Sequence, residues 1–197
     1  MPNQSQNQNT PDHFISLLAR LSRLVNHDGH AGGLKPAQWD ALRFLARANR
    51  FSRTPGGLTA YLGATKGTIS QTLMSLEKKG LLEKTPDPLD RRSVALRLTA
   101  AGEELASSDA LTSFGTLFEG LPPADRQKLE AALEQLLRAK LQREGNRPFG
   151  ICNSCRHFRK NSAQGNISEG KPHFCSLLNE PLSESGSHKI CIEQEAA

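Results

Sequence analysis

Residues 81–99, LLEKTPDPLDRRSVALRLT, decide the fold. Leu81 and Leu82 open the stretch, Pro86 and Pro88 interrupt it, and Asp87, Asp90, Arg91 and Arg92 charge its tip. The chain then returns as Val94, Leu96 and Leu98, alternating with Ser93, Ala95, Arg97 and Thr99. Two period-two arms around a proline-bearing tip predict a β-hairpin with one buried face. Just upstream, residues 65–79 place Ile69, Leu73 and Leu76 on one helical face and stop at Gly80, a C-terminal signal. A helix leading into a hairpin with a basic tip is the outline of a winged helix-turn-helix. In that motif the helix enters the major groove and the wing touches the neighbouring backbone or minor groove.

The outward side of that helix carries Thr65, Lys66, Gly67, Thr68, Ser70 and Gln71. Small polar residues let a helix approach base edges, and its N-terminal amides can meet a phosphate. Gln71 suits adenine, while Lys66 suits guanine or a phosphate. The stretch from Gly63 to Thr68 lacks the spacing of a P-loop and no strand precedes it, so a nucleotide site is discarded.

Further upstream, Thr54-Pro55 starts a helix bearing Leu58, Tyr61 and Leu62 and ending at Gly63. Gly56 and Gly57 weaken it, each by ~1 kcal/mol against alanine. Lys35-Pro36 opens another helix with Trp39, Leu42, Leu45 and Ala46 inward and Arg43, Arg47 and Arg50 elsewhere on it. Thr10-Pro11 starts a helix to about Asn26, with Phe14, Leu17, Leu18, Leu21, Leu24 and Val25 as its apolar stripe. Downstream of the hairpin, Thr99 caps a helix expected to run unbroken from Ala100 to about Glu119. Pro122-Pro123 then opens a long helix with Leu129, Leu133, Leu136, Leu137 and Leu141 in one stripe. Its stripe is expected to pack against the first helix of a second subunit. A twofold dimer would set two recognition helices about one DNA turn apart, matching a palindromic operator. The fold class is therefore mainly α with a small β-wing.

Charge follows the same division. The chain's net charge is +5, yet residues 35–97 hold twelve Lys and Arg against five Asp and Glu, whereas residues 98–145 sum to −3. A localised basic excess is the footprint of a phosphate binder. The polar start, MPNQSQNQNTPDH, reads as a disordered arm over residues 1–11 and lacks the regions of a secretory signal. No apolar run approaches 18 residues, so no membrane partner is expected and the location is expected to be cytoplasmic. No Ser/His/Asp or paired-carboxylate constellation suggests an enzyme.

Five pieces, in order and spacing, resemble the MarR family of bacterial transcription regulators: LKPAQWDAL (34–42), TKGTIS (65–70), LEKKGL (76–81), DPLDRR (87–92) and LTAAG (98–102). The resemblance covers residues 12–145. It implies a homodimeric winged helix joined through its N- and C-terminal helices, usually a repressor and sometimes released by a small-molecule effector or by oxidation. It also implies that Arg91 and Arg92 are the wing arginines, one on DNA and one steadied by Asp87 or Asp90. Gly56 and Gly57 depart from the better helix formers usual there, and that helix is expected to be short.

The resemblance ends near Gly145, but the chain continues. After a linker at 146–151, residues 152–197 carry all four cysteines, Cys152, Cys155, Cys175 and Cys191, as C-x2-C-x19-C-x15-C. Four thiols opened by a C-x-x-C knuckle in a reducing compartment predict one tetrathiolate centre. The tail is poor in apolar residues, and a structural metal supplies on the order of 10 kcal/mol of folding energy. Zinc ribbons present two knuckles, and here Cys175 and Cys191 stand alone. The order of ligands is similar to that of high-potential iron–sulfur proteins, although Phe149, Phe158 and Phe174 are fewer aromatics than those use. A [4Fe-4S] cluster is favoured over Zn2+. His157, His173 and His188 are expected to be bystanders.

The leading expectation is a sequence-specific regulator of double-stranded DNA whose tail senses metal or redox state. The alternatives are a small-molecule-responsive repressor with a structural zinc tail, and a redox or electron-transfer accessory protein.

Overall fold

The computed structural model describes residues 10–28, 33–86, 94–109, 111–146 and 148–196, with side chains 26–28 not described. The wing tip, residues 87–93, lies outside the described residues, and so do Asp90, Arg91 and Arg92.

Among the described residues, seven helices and a hairpin make the first part: α1 (Pro11–Asp28), α2 (Pro36–Arg47), α3 (Pro55–Leu62), α4 (Lys66–Lys78), β1 (Leu82–Pro86), β2 (Val94–Leu98), α5 (Ala100–Ser107), α6 (Leu111–Glu119) and α7 (Pro123–Arg143). The starts follow from local chemistry. Hydroxyls of Thr54, Thr65 and Thr99 accept the amides of Gly57, Thr68 and Gly102, each satisfying an orphan donor of a first turn. Gly63 and Gly80 take the left-handed conformation that ends α3 and turns the chain after α4. Leu34, Trp39, Leu42, Phe44, Leu45, Leu58, Ile69, Leu73, Leu76, Leu82 and Leu96 form the core. The lone tryptophan is 2% exposed and belongs to that core.

The hairpin is antiparallel, with Leu82 opposite Leu98 and Pro86 opposite Val94. Its base is laced to α5: Thr99 Oγ1 donates to the Gly80 carbonyl (2.6 Å) and the Thr99 amide to the Leu81 carbonyl (3.2 Å). A Cβ on Gly102 would lie 2.1 Å from the Leu81 oxygen, so the glycine of the LTAAG motif is needed for this close approach.

Four expectations change. Val94 is 38% exposed, because the last described rung of the hairpin borders the open groove between α3 and α4 rather than the closed core around Leu96. The inner face of α2 also includes Ala41 and Phe44, both fully buried, while Ala46 is only half-buried. Arg50 lies beyond the end of α2. The helix expected over 100–119 is two helices, broken at Ser108–Asp109. There the buried Asp109 carboxylate accepts Nε and an Nη of Arg43, both at 2.8 Å, as well as the Leu111 amide at 3.2 Å. That tertiary ion pair outweighs the helical propensity of the segment.

The tail forms β3 (Gly150–Ile151), a 3-10 turn (Cys152–Ser154), β4 (Phe158–Arg159), β5 (His173–Cys175), β6 (Glu180–Leu182), α8 (Glu184–Ser187) and β7 (Ile190–Cys191). β3 pairs with β7, and β4, β5 and β6 form a second small antiparallel sheet. Gly150 and Ile151, read from sequence as linker, are thus already paired. The tail also docks on the first part of the chain. Ala48 bridges Ile190 in parallel, the Asn49 amide donates to the Ile190 carbonyl (2.8 Å), and Lys189 Nζ donates to the Ala46 carbonyl (3.0 Å). Ile190 and Ile192 pack on the main core. Phe149 stacks on Tyr61 at 4.4 Å between ring centres.

Candidate nucleic-acid interface and cysteine cavity

α4 is anchored by Ile69, Thr72, Leu73 and Leu76, all buried. Gln38 bridges it to α2, donating to Ser75 Oγ at 2.7 Å while accepting the Lys35 amide at 2.9 Å. With that face fixed, the six positions singled out from sequence, Thr65, Lys66, Gly67, Thr68, Ser70 and Gln71, are all exposed. They share the N-terminal half of the helix. Thr65 and Thr68 also hydrogen-bond through their hydroxyls at 2.9 Å, which steadies the turn that would face a nucleic acid. Asp90, Arg91 and Arg92 lie outside the described residues; of the hairpin, β1 packs beside this helix. Between α3, α4 and the wing runs a groove of about 600 Å3 lined by Pro55, Ala60, Ile69, Leu73 and Val94, with Lys66 and Lys84 at its polar side.

Residues 32–93 match the sequence model of the MarR family.

The MarR-like segment thus spans α2 to the wing. Curated relatives point the same way. An uncharacterised HTH-type transcriptional regulator of Mycobacterium bovis and an HTH-type transcriptional regulator of Mycobacterium tuberculosis are each 28% identical over 89 residues, 45% of this chain. The chain spans only 61% of the length of each. Among solved structures, S. aureus MepR bound to DNA superposes with a TM-score of 0.51 at 20% identity, over 66% of this chain and 97% of that one. A single-residue mutant of the same protein gives 0.50 at 22% identity, over 66% and 98%. At such identity the likeness shows the fold, a winged helix-turn-helix of MarR type. No helix among the described residues is long and apolar enough to cross a membrane.

The four cysteines come from three parts of the tail, yet all four line one small cavity of about 20 Å3. Its other walls are Phe158, Leu177, Leu178, Leu182 and Glu193. Cys152 and Cys191 are buried and Cys155 and Cys175 half-buried, and all four are free thiols. Among the described residues, no group of three His, Cys, Asp or Glu side chains is arranged to hold a single metal ion. The Cys152 thiol is pushed up by its hydrogen bond to Cys191 and by burial. Cys191 is pushed down to about 6 by that same hydrogen bond against the cost of burial, helped by the Glu193 amide, Asn49 and Ser52.

The histidines stand apart from the cavity lining. His173 is buried, with Nε2 2.7 Å from Glu184 and Nδ1 accepting the Asn161 amide. His188 lies between Asn153 and Glu184, and His157 lies 3.5 Å from Glu195.

Sequence reasoning missed one functional neighbour. Asn49, 6% exposed, donates from Nδ2 to Cys152 Sγ at 3.4 Å, and Phe51 packs on the cysteine cluster. Neither residue carries a motif. The pairing spans 103 positions, and only a contact map could find it.

Proposed function

We propose that the protein is a sequence-specific DNA-binding transcriptional regulator, acting as a homodimer, whose tail carries a four-thiolate metal centre. For DNA binding, the carrying observation is the recognition helix, rigidly anchored on one face and exposed at Thr65, Lys66, Gly67, Thr68, Ser70 and Gln71 on the other. For the centre, it is the convergence of all four cysteines on one apolar cavity. Soft thiolate donors, an apolar wall and an outer amide hydrogen bond to sulfur are the environment of a thiolate-held metal or cluster. The ligand order, with Cys175 and Cys191 standing alone rather than in a second knuckle, favours a [4Fe-4S] cluster over a single Zn2+. When bound, such a cluster would supply one-electron redox chemistry; Cys152, Cys155, Cys175 and Cys191 would hold it and Phe158 and the leucines would limit water.

Dimerisation would take two exposed apolar helix faces out of water. On α1, Phe14, Leu17, Leu18, Leu21 and Leu24 are 43–51% exposed, and on α7 Leu129, Leu133, Leu136 and Leu137 are 42–52% exposed. Two apolar stripes of this extent are stable in solution when a second copy covers them. A repressor role follows where the dimer blocks transcription from its own operator.

Anaerobic purification with visible absorption and iron, sulfide and zinc analysis tests the centre. A brown protein losing colour on Cys152→Ser is expected, and a colourless zinc-loaded protein would overturn redox sensing. Binding of the gene's upstream DNA, lost on combined Arg91→Ala and Arg92→Ala substitution, tests the regulator; unchanged binding would instead favour an accessory redox protein. A second reading, a repressor released by a small aromatic molecule and carrying a structural zinc tail, is favoured by the largely apolar groove beside α4, where Lys66 would meet an acidic group while Lys84 is held by Glu77 at 2.6 Å. Thermal shifts with phenolic acids test it.

A further inference from the structure

Residues 48–54 form a short loop between the cysteine cavity and two elements: the wing, and α3, which packs against the recognition helix α4. Asn49 has both ends of its buried amide committed. Nδ2 donates to Cys152 Sγ at 3.4 Å, and Oδ1 accepts the Ser52 amide at 2.8 Å. Ser52 is fully buried, and its Oγ accepts the amide of Ile192, next to Cys191, at 3.1 Å. Its carbonyl oxygen is the atom on which α3 rests, since a Cβ at Gly57 would lie 2.1 Å from it. One residue on, the Arg53 carbonyl accepts the Leu96 amide of the wing at 2.7 Å. The next residue, Thr54, caps α3. Cysteine sulfurs, α3 and the wing are therefore joined through six consecutive residues, by backbone and buried side-chain hydrogen bonds rather than by exposed contacts.

The chemistry gives this loop something to respond to. A hydrogen bond to a metal-bound thiolate is charge-assisted and stronger than one to a neutral thiol, so filling the cavity would tighten the Asn49 contact. Because packed interiors move between discrete arrangements rather than stretching continuously, a shift at Asn49 is passed to whatever rests on Ser52 and Arg53.

We propose that the loop at 48–54, through Asn49 as its positioning residue, transmits the filling of the four-cysteine cavity to α3 and the wing, so that DNA affinity depends on that filling. The proposal rests on the four-thiolate reading of the cavity, and its failure can be told apart from the failure of that reading.

The experiment uses the full chain, reduced and stripped with chelator, and the same protein reconstituted anaerobically with ferrous iron and sulfide, or loaded with Zn2+ if iron is not taken up. Affinity for a labelled duplex from the gene's upstream region is read by fluorescence anisotropy. For the wild type, filled and stripped forms are expected to differ about tenfold, within the usual span of coupling between sites. Asn49→Ala is expected to take up the same metal per chain and still bind DNA, with that ratio reduced to less than about twofold, as loss of the coupling requires. A purely structural role for Asn49 would weaken both forms alike and leave the ratio intact, which would overturn the relay. Ser52→Ala is the second variant, judged by the same ratio if Asn49→Ala does not fold by circular dichroism. Wild-type protein that fills but binds DNA equally in both forms would overturn transmission and leave the metal centre standing. Wild-type protein that takes up neither iron and sulfide nor zinc would overturn both.

Discussion

Gly56 and Gly57 are neighbours in the first turn of α3, and alanine at the two positions should act in opposite directions. At Gly56 the nearest atom to a new Cβ is Thr54 Oγ1 at 3.9 Å, an ordinary contact. Alanine there brings only its helical advantage and a less disordered unfolded chain, stabilising by about 0.5–1 kcal/mol. At Gly57 the Cβ would sit 2.1 Å from the Ser52 oxygen and 3.1 Å from its carbon, where 3.4 Å begins ordinary contact. The obstacle is main chain, and Ser52 is fully buried and tied to the tail through Ile192. Either α3 or the loop must give by more than 1 Å. Overpacking of this kind costs about 1–3 kcal/mol, more than the helical gain, so Gly57→Ala should destabilise by about 1–2 kcal/mol. The two variants should then lie about 1.5–3 kcal/mol apart, or some 3–12 °C in Tm for a chain of this size. Urea and thermal melts at one fixed protein concentration measure it, the concentration being held because dimer stability depends on it. Variants equal within about 0.5 kcal/mol, the usual scatter of surface substitutions, would refute the close packing of α3 on the loop.

Asp109→Asn should cost about 1–3 kcal/mol, because it leaves the Arg43 guanidinium, 13% exposed, with only the longer contact to Asp40 at 3.3 Å as its charge partner. Burial alone would raise the Asp109 carboxyl, but the Arg43 and Leu111 hydrogen bonds outweigh it and hold the group below the usual carboxylate range. A depressed carboxyl stabilises the fold above the unfolded value near 3.9, and that contribution is lost as pH falls through the folded value, so the gap in Tm between wild type and Asp109→Asn should narrow below about pH 4. Leu133→Glu should shift the protein from dimer to monomer in sedimentation velocity, and an unchanged dimer would place the interface elsewhere. Lys66→Ala should lower DNA affinity and, where it neutralises one phosphate, reduce the salt slope by about one. Gln71→Ala should cost about 1–3 kcal/mol on cognate DNA alone, read as loss of discrimination against a scrambled duplex.

Elements governed by near neighbours were legible in the residues. The recognition helix announced itself through Thr65, the period of Ile69, Leu73 and Leu76, and Gly80, and the hairpin through its alternation and prolines. Thr99 was readable as a cap, although the glycine three residues later owes its place to Leu81 across the hairpin base. What stayed hidden was set by distant partners. Nothing local to Asp109 breaks a helix as firmly as its ion pair with Arg43, 66 positions away. Phe44 and Ala41 widen the α2 stripe because α2 is covered on more than one side, a property of the assembled core. Val94 fits the alternation yet borders an open groove rather than the closed core. In the tail, cysteine spacing was enough to group the four thiols, and the structure gathers them at one cavity. The docking of that cavity on Asn49 and Phe51 had no sequence signal, since a single buried amide looks like any loop asparagine.

The Asn49–Ile190 contact carries a consequence for biosynthesis. Its two halves lie 141 positions apart. At about 5–20 residues per second, the loop beside α2 emerges from the ribosome some 7–30 seconds before the strand that completes it. During that interval the main core lacks Ile190 and Ile192, and the loop at 48–54 lacks the strand it pairs with. The apolar surface of that core is therefore fully covered only once β7 has emerged, so synthesis of the cysteine tail is the step that finishes burying it.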